Sequence, residues 1–279
     1  MLIFKDKTTL AAYLKSLRRQ GKKIGFVPTM GALHEGHLSL MKEASTHADV
    51  VICSIFVNPT QFNDRKDFEK YPIRREDDIK KLLGSPTELL FLPSVEEIYG
   101  PNTVNLETYD FGKIEKMLEG VHRPGHFQGV GQVMRRLLEL IQPEVLLMGQ
   151  KDYQQVLIIN TLINILKINA QLIICPIVRE PDGLAMSSRN LRLTEEARRK
   201  ASGIYQTLVY IKDNYRRSPF DKLVKKGINF LEKQGFQVEY LTIANSRDLQ
   251  VVNKPVSSPM ICLAAAWLDG IRLIDNVFL

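Results

Sequence analysis

Five short apolar runs limit what this chain can fold into more than any other feature of its sequence. They are Lys23 to Pro28, VVICSIFV from Val50, ELLFLP from Glu88 to Pro93, Glu144 to Met148, and LIICPIV from Leu172. None alternates apolar with polar residues, so each reads as a strand buried on both sides. Helical patterns lie between them. Leu10, Tyr13, Leu14 and Leu17 share one face of a helix that Gly21 closes. A second helix is expected from about His37 to His47, and Val130, Val133, Met134, Leu137 and Ile141 mark a third. Strands alternating with helices at this spacing predict βαβ units: an α/β fold with a parallel sheet and helices on both faces.

The texture changes near Arg179. Glu195 to Tyr215 and Phe220 to Gln234 read as two long charged helices, followed by VEYLTIAN and MICLAAAWLDGIRLIDNV. Asp269-Gly270 in the latter is a strong hairpin signal. Helices followed by antiparallel strands predict a smaller α+β C-terminal domain. The expected division is residues 1–178 and residues 179–279.

With 279 residues, 44% hydrophobic and 25% charged, the composition is that of a globular protein and speaks against disorder and a membrane class. The net charge of +7 suits an anionic partner, a polyphosphate or a nucleic acid, and equally a solvated basic surface. Cys53, Cys175 and Cys262 are far apart, and two lie inside apolar runs, which argues against a disulfide framework and for a reducing cytoplasm. The first 21 residues read as an amphipathic helix rather than a signal peptide, and no run approaches membrane-spanning length.

Ligands of open α/β sheets bind outside the carboxyl ends of the strands. Four segments there carry more polar chemistry than a turn requires. PTMGALHEGH, residues 28 to 37, leaves a strand and enters a helix whose N-terminus favours an anion. Gly31 and Gly36 allow close backbone approach, and His34 and His37 can donate to phosphate oxygens. The spacing is not that of a zinc helix. In IFVNPTQF, Asn58 and Gln61 both donate and accept, which suits a substrate with hydroxyl and carboxylate groups. In GQKDYQQ, Lys151 stands at a helix start, where a cation gains from an anionic ligand and not from the dipole, and Asp152 reads as a cap or a ribose ligand. In REPDGLAMSSRN, Ser187, Ser188 and Arg189 offer hydroxyls and a guanidinium that fit triphosphate oxygens, although alone they would pass for a linker.

Together with HRPGHFQGVGQVM, these segments resemble the pantothenate synthetases (AMP-forming pantoate–β-alanine ligases), a family of the nucleotidylyltransferase superfamily. The likeness runs in order over roughly residues 24 to 190. It implies a Rossmann-like nucleotide- and pantoate-binding domain, with a C-terminal domain closing over the active site. It implies ATP and Mg2+, the substrates pantoate and β-alanine, no nucleic acid, and a homodimer. Carried over by residue, the ATP site matches Met30, Gly31, Ala32, Leu33, His34, Glu35, Gly36 and His37; Gly149, Gln150, Lys151 and Asp152; Val178; and Met186, Ser187, Ser188 and Arg189. His37, His34 and Lys151 take the catalytic roles, and Gln61, Gln155 and Asn58 take the substrate. Asp77 or Asp78 could assist the metal, whose ligands stay unassigned, and the roles of Arg123 and His126 are open. The alternative is another adenylyl transferase of the same superfamily. A tRNA-directed one is disfavoured, because no basic, aromatic-interleaved stretch follows Asn190.

Overall fold

The computed structural model describes residues 1–101 and 106–279 and divides them into two compact units. Met1–Gly149 with Gln155–Pro176 form the first; Gln150–Gln154 with Ile177–Leu279 form the second. The division differs from a single boundary at 178/179 in two respects: the C-terminal stretch of the second unit begins two residues earlier, at Ile177, and the five residues after Gly149 group with it.

In the first unit the strands are β1 (Leu2–Phe4), β2 (Ile24–Thr29), β3 (Val50–Ile55), β4 (Leu89–Phe91), β5 (Val145–Gly149) and β6 (Gln171–Cys175). All pair in parallel, in the order β1-β4-β3-β2-β5-β6. The helices are α1 (Lys7–Arg19), α2 (Glu35–His47), α3 (Arg65–Glu69), α4 (Arg75–Leu83), α5 (Val95–Tyr99), α6 (Glu119–His122), α7 (His126–Ile141) and α8 (Tyr153–Leu166), the last beginning in the second unit.

Helices cover both faces, and the sequence shows why. Phe26, Ile52, Phe91 and Leu146 point to one side, where Leu10 and Leu14 of α1, Val133 and Leu137 of α7, and Ile159 and Leu162 of α8 meet them. Their neighbours Val27, Val51, Cys53, Leu90 and Leu147 point to the other, against Leu40, Met41 and Ala44 of α2 and Leu82 of α4. A strand with two apolar faces cannot alternate.

The N-terminus departs from the sequence expectation. Leu2–Phe4 is an edge strand, in register with Leu89–Phe91 of β4, and the helix begins only at Lys7. The Asp6 side chain accepts from the Thr9 N–H and so fixes the helix start, leaving the apolar triplet upstream to extend the sheet.

The second unit is a three-stranded antiparallel sheet of β7 (Gln237–Asn245), β8 (Met260–Leu268) and β9 (Ile271–Phe278), with α9 (Glu195–Ala201), α10 (Gly203–Asn214) and α11 (Phe220–Lys233). Asp269 and Gly270 both have positive φ and join β8 to β9, as the Asp-Gly signal predicts. The expected helix from Glu195 to Tyr215 is broken at Ser202. A Cβ on Gly203 would stand 2.6 Å from Gln234 Oε1, so the break brings a glycine to a crowded position.

All three cysteines are free and buried. Burial pushes the Cys53 thiol up to about 12 and Cys175 up to about 11, and raises Cys262 as well, so none presents a thiolate at neutral pH. Among the described residues no helix is long and apolar enough to cross a membrane.

One helix contact shapes the site below. Gly129 of α7 faces the 3-10 turn Pro59–Gln61 so closely that a Cβ would lie 2.2 Å from the Thr60 carbonyl oxygen and 2.6 Å from the Gln61 Cα. Gly129→Ala is therefore expected to destabilise the fold by about 1–3 kcal/mol, because backbone must move to admit the methyl. Urea unfolding measures it; an unchanged midpoint would mean that the turn yields freely.

Candidate active site

Sheet order reverses between β2 and β5: from β2 the chain moves outward through β3 and β4, then returns to place β5 on its other side. Such a switch point opens a crevice at the carboxyl ends of the two strands. Thr29 ends β2 and Gly149 ends β5, and the strands pair through Gly25–Val145 and Phe26–Leu146. The His-bearing turn thus leaves the sheet on one side of the crevice, and Gly149 closes the strand on the other.

The turn has an unusual backbone. Gly31 and Ala32 are both left-handed, with φ of 81° and 48°. Ala32 adopts this at a cost of about 1–2 kcal/mol. The compensation comes from α4. Asp78, almost fully buried, accepts from the Ala32 N–H at 2.9 Å and the Leu33 N–H at 2.7 Å, one on each carboxylate oxygen. Lys81, one turn along α4, donates from Nζ to the Leu33 carbonyl at 2.5 Å. A Cβ at position 31 would come within 3.0 Å of Asp78 Oδ2, so the glycine also makes room for the clamp.

The clamped turn delivers His34 to the N-cap of α2. Its Nδ1 accepts from the Gly36 N–H at 3.1 Å, and His37 Nδ1 accepts from the His34 N–H at 3.2 Å. A backbone N–H can only donate, so Nδ1 of each ring is unprotonated and the proton of the neutral imidazole sits on Nε2. The rings lie against each other, tilted by 40°, with centroids 4.1 Å apart. Two Nε2–H donors are thereby prepared beside the positive end of a 13-residue helix.

Beyond β3 lies the second polar cluster of this unit. Asn58 is fully committed: Nδ2 donates to Gln61 Oε1 and to the Gly129 carbonyl, both at 3.1 Å, while Oδ1 accepts from the Tyr99 hydroxyl at 2.7 Å and the Thr60 hydroxyl at 3.2 Å. Both amide hydrogens of Asn58 are thus spent within the protein, one of them on Gln61. Gln61 Nε2 lies 3.0 Å from Met30 Sδ, which ties this cluster to the His turn. His126 supports Gln61 from below. Its Nδ1 donates to the Gln61 carbonyl at 2.8 Å, which leaves Nε2 to accept from Arg123 at 3.1 Å.

Further back, Arg136 lies over the Tyr99 ring at 4.8 Å and forks onto Glu107. Burial alone would raise the Glu107 carboxyl, but hydrogen bonds from Arg136 and Tyr109 bring it down to about 2. Gln155, the remaining candidate of this unit, lies in the first turns of α8.

The second unit holds the other candidates. Gln150, Lys151 and Asp152 form a 3-10 turn, with Lys151 Nζ 3.4 Å from Asp152 Oδ2. Val178 and Met186 are brought together by a small hairpin: the Met186 N–H donates to the Val178 carbonyl at 3.0 Å, and Arg179 and Ala185 form a β-bridge. Ser187 then caps the next 3-10 turn by accepting from the Arg189 N–H, and Ser188 is buried.

The contacts of three features are not legible in the sequence. Asp78 looks like any acidic residue on a charged helix, and both its bonds reach back more than 40 residues. Asp275 and Asn276, the second a partner of Gln150, are buried polar neighbours in a strand otherwise rich in apolar residues. Their one legible signal is the Asp-Asn pair interrupting IRLIDNV. His126 was visible as a motif residue without a role.

As for metal, the described residues contain no cluster of three His, Cys, Asp or Glu side chains suited to an ion. Asp78 has both oxygens on backbone N–H groups, and Asp77 is exposed in the first turn of α4.

A switch-point crevice, a helix N-terminus and paired imidazole donors define an α/β enzyme that acts on an anionic, phosphate-bearing ligand. Comparison with known proteins narrows the class. A sequence model of the family described as pantoate-beta-alanine ligase matches residues 2–278. A protein named pantothenate synthetase from Flavobacterium psychrophilum is 41% identical over 282 residues, covering 100% of both chains. One of the same name from Vibrio vulnificus is 41% identical over 278 residues, covering 99% of this chain and 92% of its own. Among solved structures, pantothenate synthetase from Thermus thermophilus superposes with a TM-score of 0.93 at 35% identity, covering 99% of each chain. The pantoate-beta-alanine ligase of Francisella tularensis, solved with beta-gamma ATP and beta-alanine, gives 0.84 at 38% identity, covering 99% of this chain and 97% of that one. The chain belongs to the pantoate–β-alanine ligase family.

The cap geometry makes a spectroscopic prediction. In 15N-resolved NMR of the neutral protein, His34 and His37 are expected as Nε2–H tautomers. Nδ1–H tautomers would contradict the hydrogen bonds that seat both rings.

Proposed function

We propose that the chain joins pantoate to β-alanine at the expense of ATP, through a pantoyl-adenylate intermediate. The observation that carries the reading is the Asp78-clamped turn, which sets two Nε2–H donors at the N-terminus of α2 beside the switch-point crevice. A relative solved with beta-gamma ATP and beta-alanine supports the same chemistry.

In the first step a pantoate carboxylate oxygen attacks the α-phosphorus of ATP. The bond from that phosphorus to its bridging oxygen breaks, and pyrophosphate leaves with the electron pair. The amine of β-alanine then attacks the acyl carbon, the acyl–oxygen bond breaks, AMP departs, and the nitrogen loses its proton. A carboxylate is a poor acyl donor until its oxygen sits on such a leaving group, and the mixed anhydride survives only where water is kept away.

Little covalent help is needed for adenylation; placement and charge neutralisation dominate. His34 and His37 donate from Nε2 to phosphate oxygens, with His37 as the proton donor to the leaving group. The turn from Met30 to His37 lies along the nucleotide, and Lys151, Ser187, Ser188 and Arg189 hold phosphates. Gly149, Gln150, Asp152, Val178 and Met186 complete the nucleotide site. Gln61 and Gln155 bind pantoate. Asn58 orients Gln61 and stands out of contact with substrate.

Mg2+ bound together with ATP would neutralise charge on the phosphates beside Lys151 and Arg189, and would be held chiefly by the nucleotide. The residues present fit that role without a dedicated carboxylate cage. We read the protein as a cytoplasmic homodimer, a reading supported by kinship and by three buried free thiols that suit a reducing compartment.

Mass analysis of products from ATP, pantoate and β-alanine, each omitted in turn, tests the reading. Pyrophosphate is expected only when pantoate is present, and AMP with pantothenate only when β-alanine is added. Pyrophosphate release with another acceptor and none with pantoate would make the chain a different adenylyl transferase.

A further inference from the structure

The C-terminal strand β9 carries two buried polar neighbours that the chemistry above does not use, Asp275 and Asn276, each about 2% exposed. Asn276 reaches the segment that follows β5. Its Nδ2 donates to the Gln150 and Lys151 carbonyls, both at 3.0 Å, and its Oδ1 accepts from Gln150 Nε2 at 3.0 Å. Both amide hydrogens are thus spent on successive peptide groups, which fixes the backbone from which the Lys151 side chain departs. Asp275 holds a different segment. Its carboxylate takes the two terminal nitrogens of Arg179 at 2.7 and 3.0 Å, and it also accepts the Asn276 N–H at 2.7 Å. Arg179 in turn donates to the Gly183 carbonyl at 3.0 Å and lies over the Tyr205 ring at 3.9 Å, at the base of the hairpin that leads into Met186–Arg189.

Adjacent residues of one strand therefore grip two stretches of chain that lie far apart in sequence. One carries Lys151; the other leads to Ser187, Ser188 and Arg189. The compact grouping of Gln150–Gln154 with Ile177–Leu279 is the same fact seen at larger scale. Covalently, Lys151 follows a strand of the first unit; by hydrogen bonding it belongs to the second.

We propose that Asp275 and Asn276 are positioning residues for adenylation, which set Lys151 in fixed relation to the Ser-Ser-Arg segment so that both meet the triphosphate as one rigid set. The inference rests on reading Lys151 and Ser187–Arg189 as phosphate ligands. It goes beyond that reading in assigning a catalytic consequence to a strand that supplies none of the proposed substrate ligands. Misplacing a charged donor by about 1 Å can cost on the order of 10²-fold in rate, whereas a group that only supports the fold would affect every step alike.

The two half-reactions separate these cases. Pyrophosphate release from ATP and pantoate reports adenylation. Amide formation from supplied pantoyl adenylate and β-alanine reports the second step, in which the β- and γ-phosphates have already left. Asn276→Leu, similar in size and uncharged, removes the clamp. It is expected to slow pyrophosphate release on the order of 10²-fold while amide formation stays near the rate of the unaltered enzyme. Asn276→Ser is read in the same two assays, so that a folding defect in one variant does not decide the result. Equal loss in both half-reactions, or no loss in the first, would overturn the proposal. Lys151→Ala is the control that separates the failures. If it slows pyrophosphate release and the Asn276 variants do not, only the positioning role is wrong. If Lys151→Ala leaves release unchanged, the reading of Lys151 falls, and this inference falls with it.

Discussion

Two backbone hydrogen bonds accepted by one buried carboxylate hold the histidine-bearing turn in its conformation. Asp78 accepts the N–H groups of Ala32 and Leu33, and in doing so holds a turn whose backbone a free peptide would abandon. The left-handed pair at Gly31 and Ala32 points successive N–H groups inward, a concave arrangement that binds anions. Here the anion is supplied by the protein itself, from a helix that Lys81 also ties to the turn. With the turn fixed, His34 becomes the cap of α2, and each ring's Nδ1 accepts a backbone N–H, that of Gly36 for His34 and that of His34 for His37, which places the proton of each neutral imidazole on Nε2.

The rest of the first unit repeats this logic at longer range. Gln61 is held by Asn58 through its side chain and by His126 through its backbone. Asn58 is held by Tyr99 and by Gly129 of α7, and Tyr99 by the Arg136–Glu107 pair behind it. Each layer satisfies the polar groups of the one before, as buried polar atoms require. The position of Gln61 thus depends on side chains several contacts behind it.

How much of this could be read from sequence follows from what kind of contact each residue makes. The central strands were legible because they are apolar on both faces, and the histidine-bearing turn because glycines and histidines follow a strand end and precede a helical pattern. β1 was not, because a three-residue edge strand joined to a helix carries too little pattern to separate from it. Nor was the helix break at Ser202, where the crowding comes from Gln234, 32 residues on. The contacts of Asp78 and Asn58 are not legible either, because local sequence gives residue type and not partner. Their partners lie at Ala32, Leu33, Gly129 and Tyr99. Asp275 and Asn276 illustrate the same limit: their function is a set of bonds to Arg179, Gln150 and Lys151, and only folding reveals those.

The central claim is that Asp78 works through the histidine turn and not merely by stabilising the fold. A double-mutant cycle on single-turnover, pantoate-dependent pyrophosphate release, with Asp78→Asn and His37→Ala alone and combined, measures that coupling. The expected result is strong non-additivity, with the double variant hardly slower than His37→Ala alone. Losses that multiply independently would show that the carboxylate and the imidazole act apart, and would contradict the account.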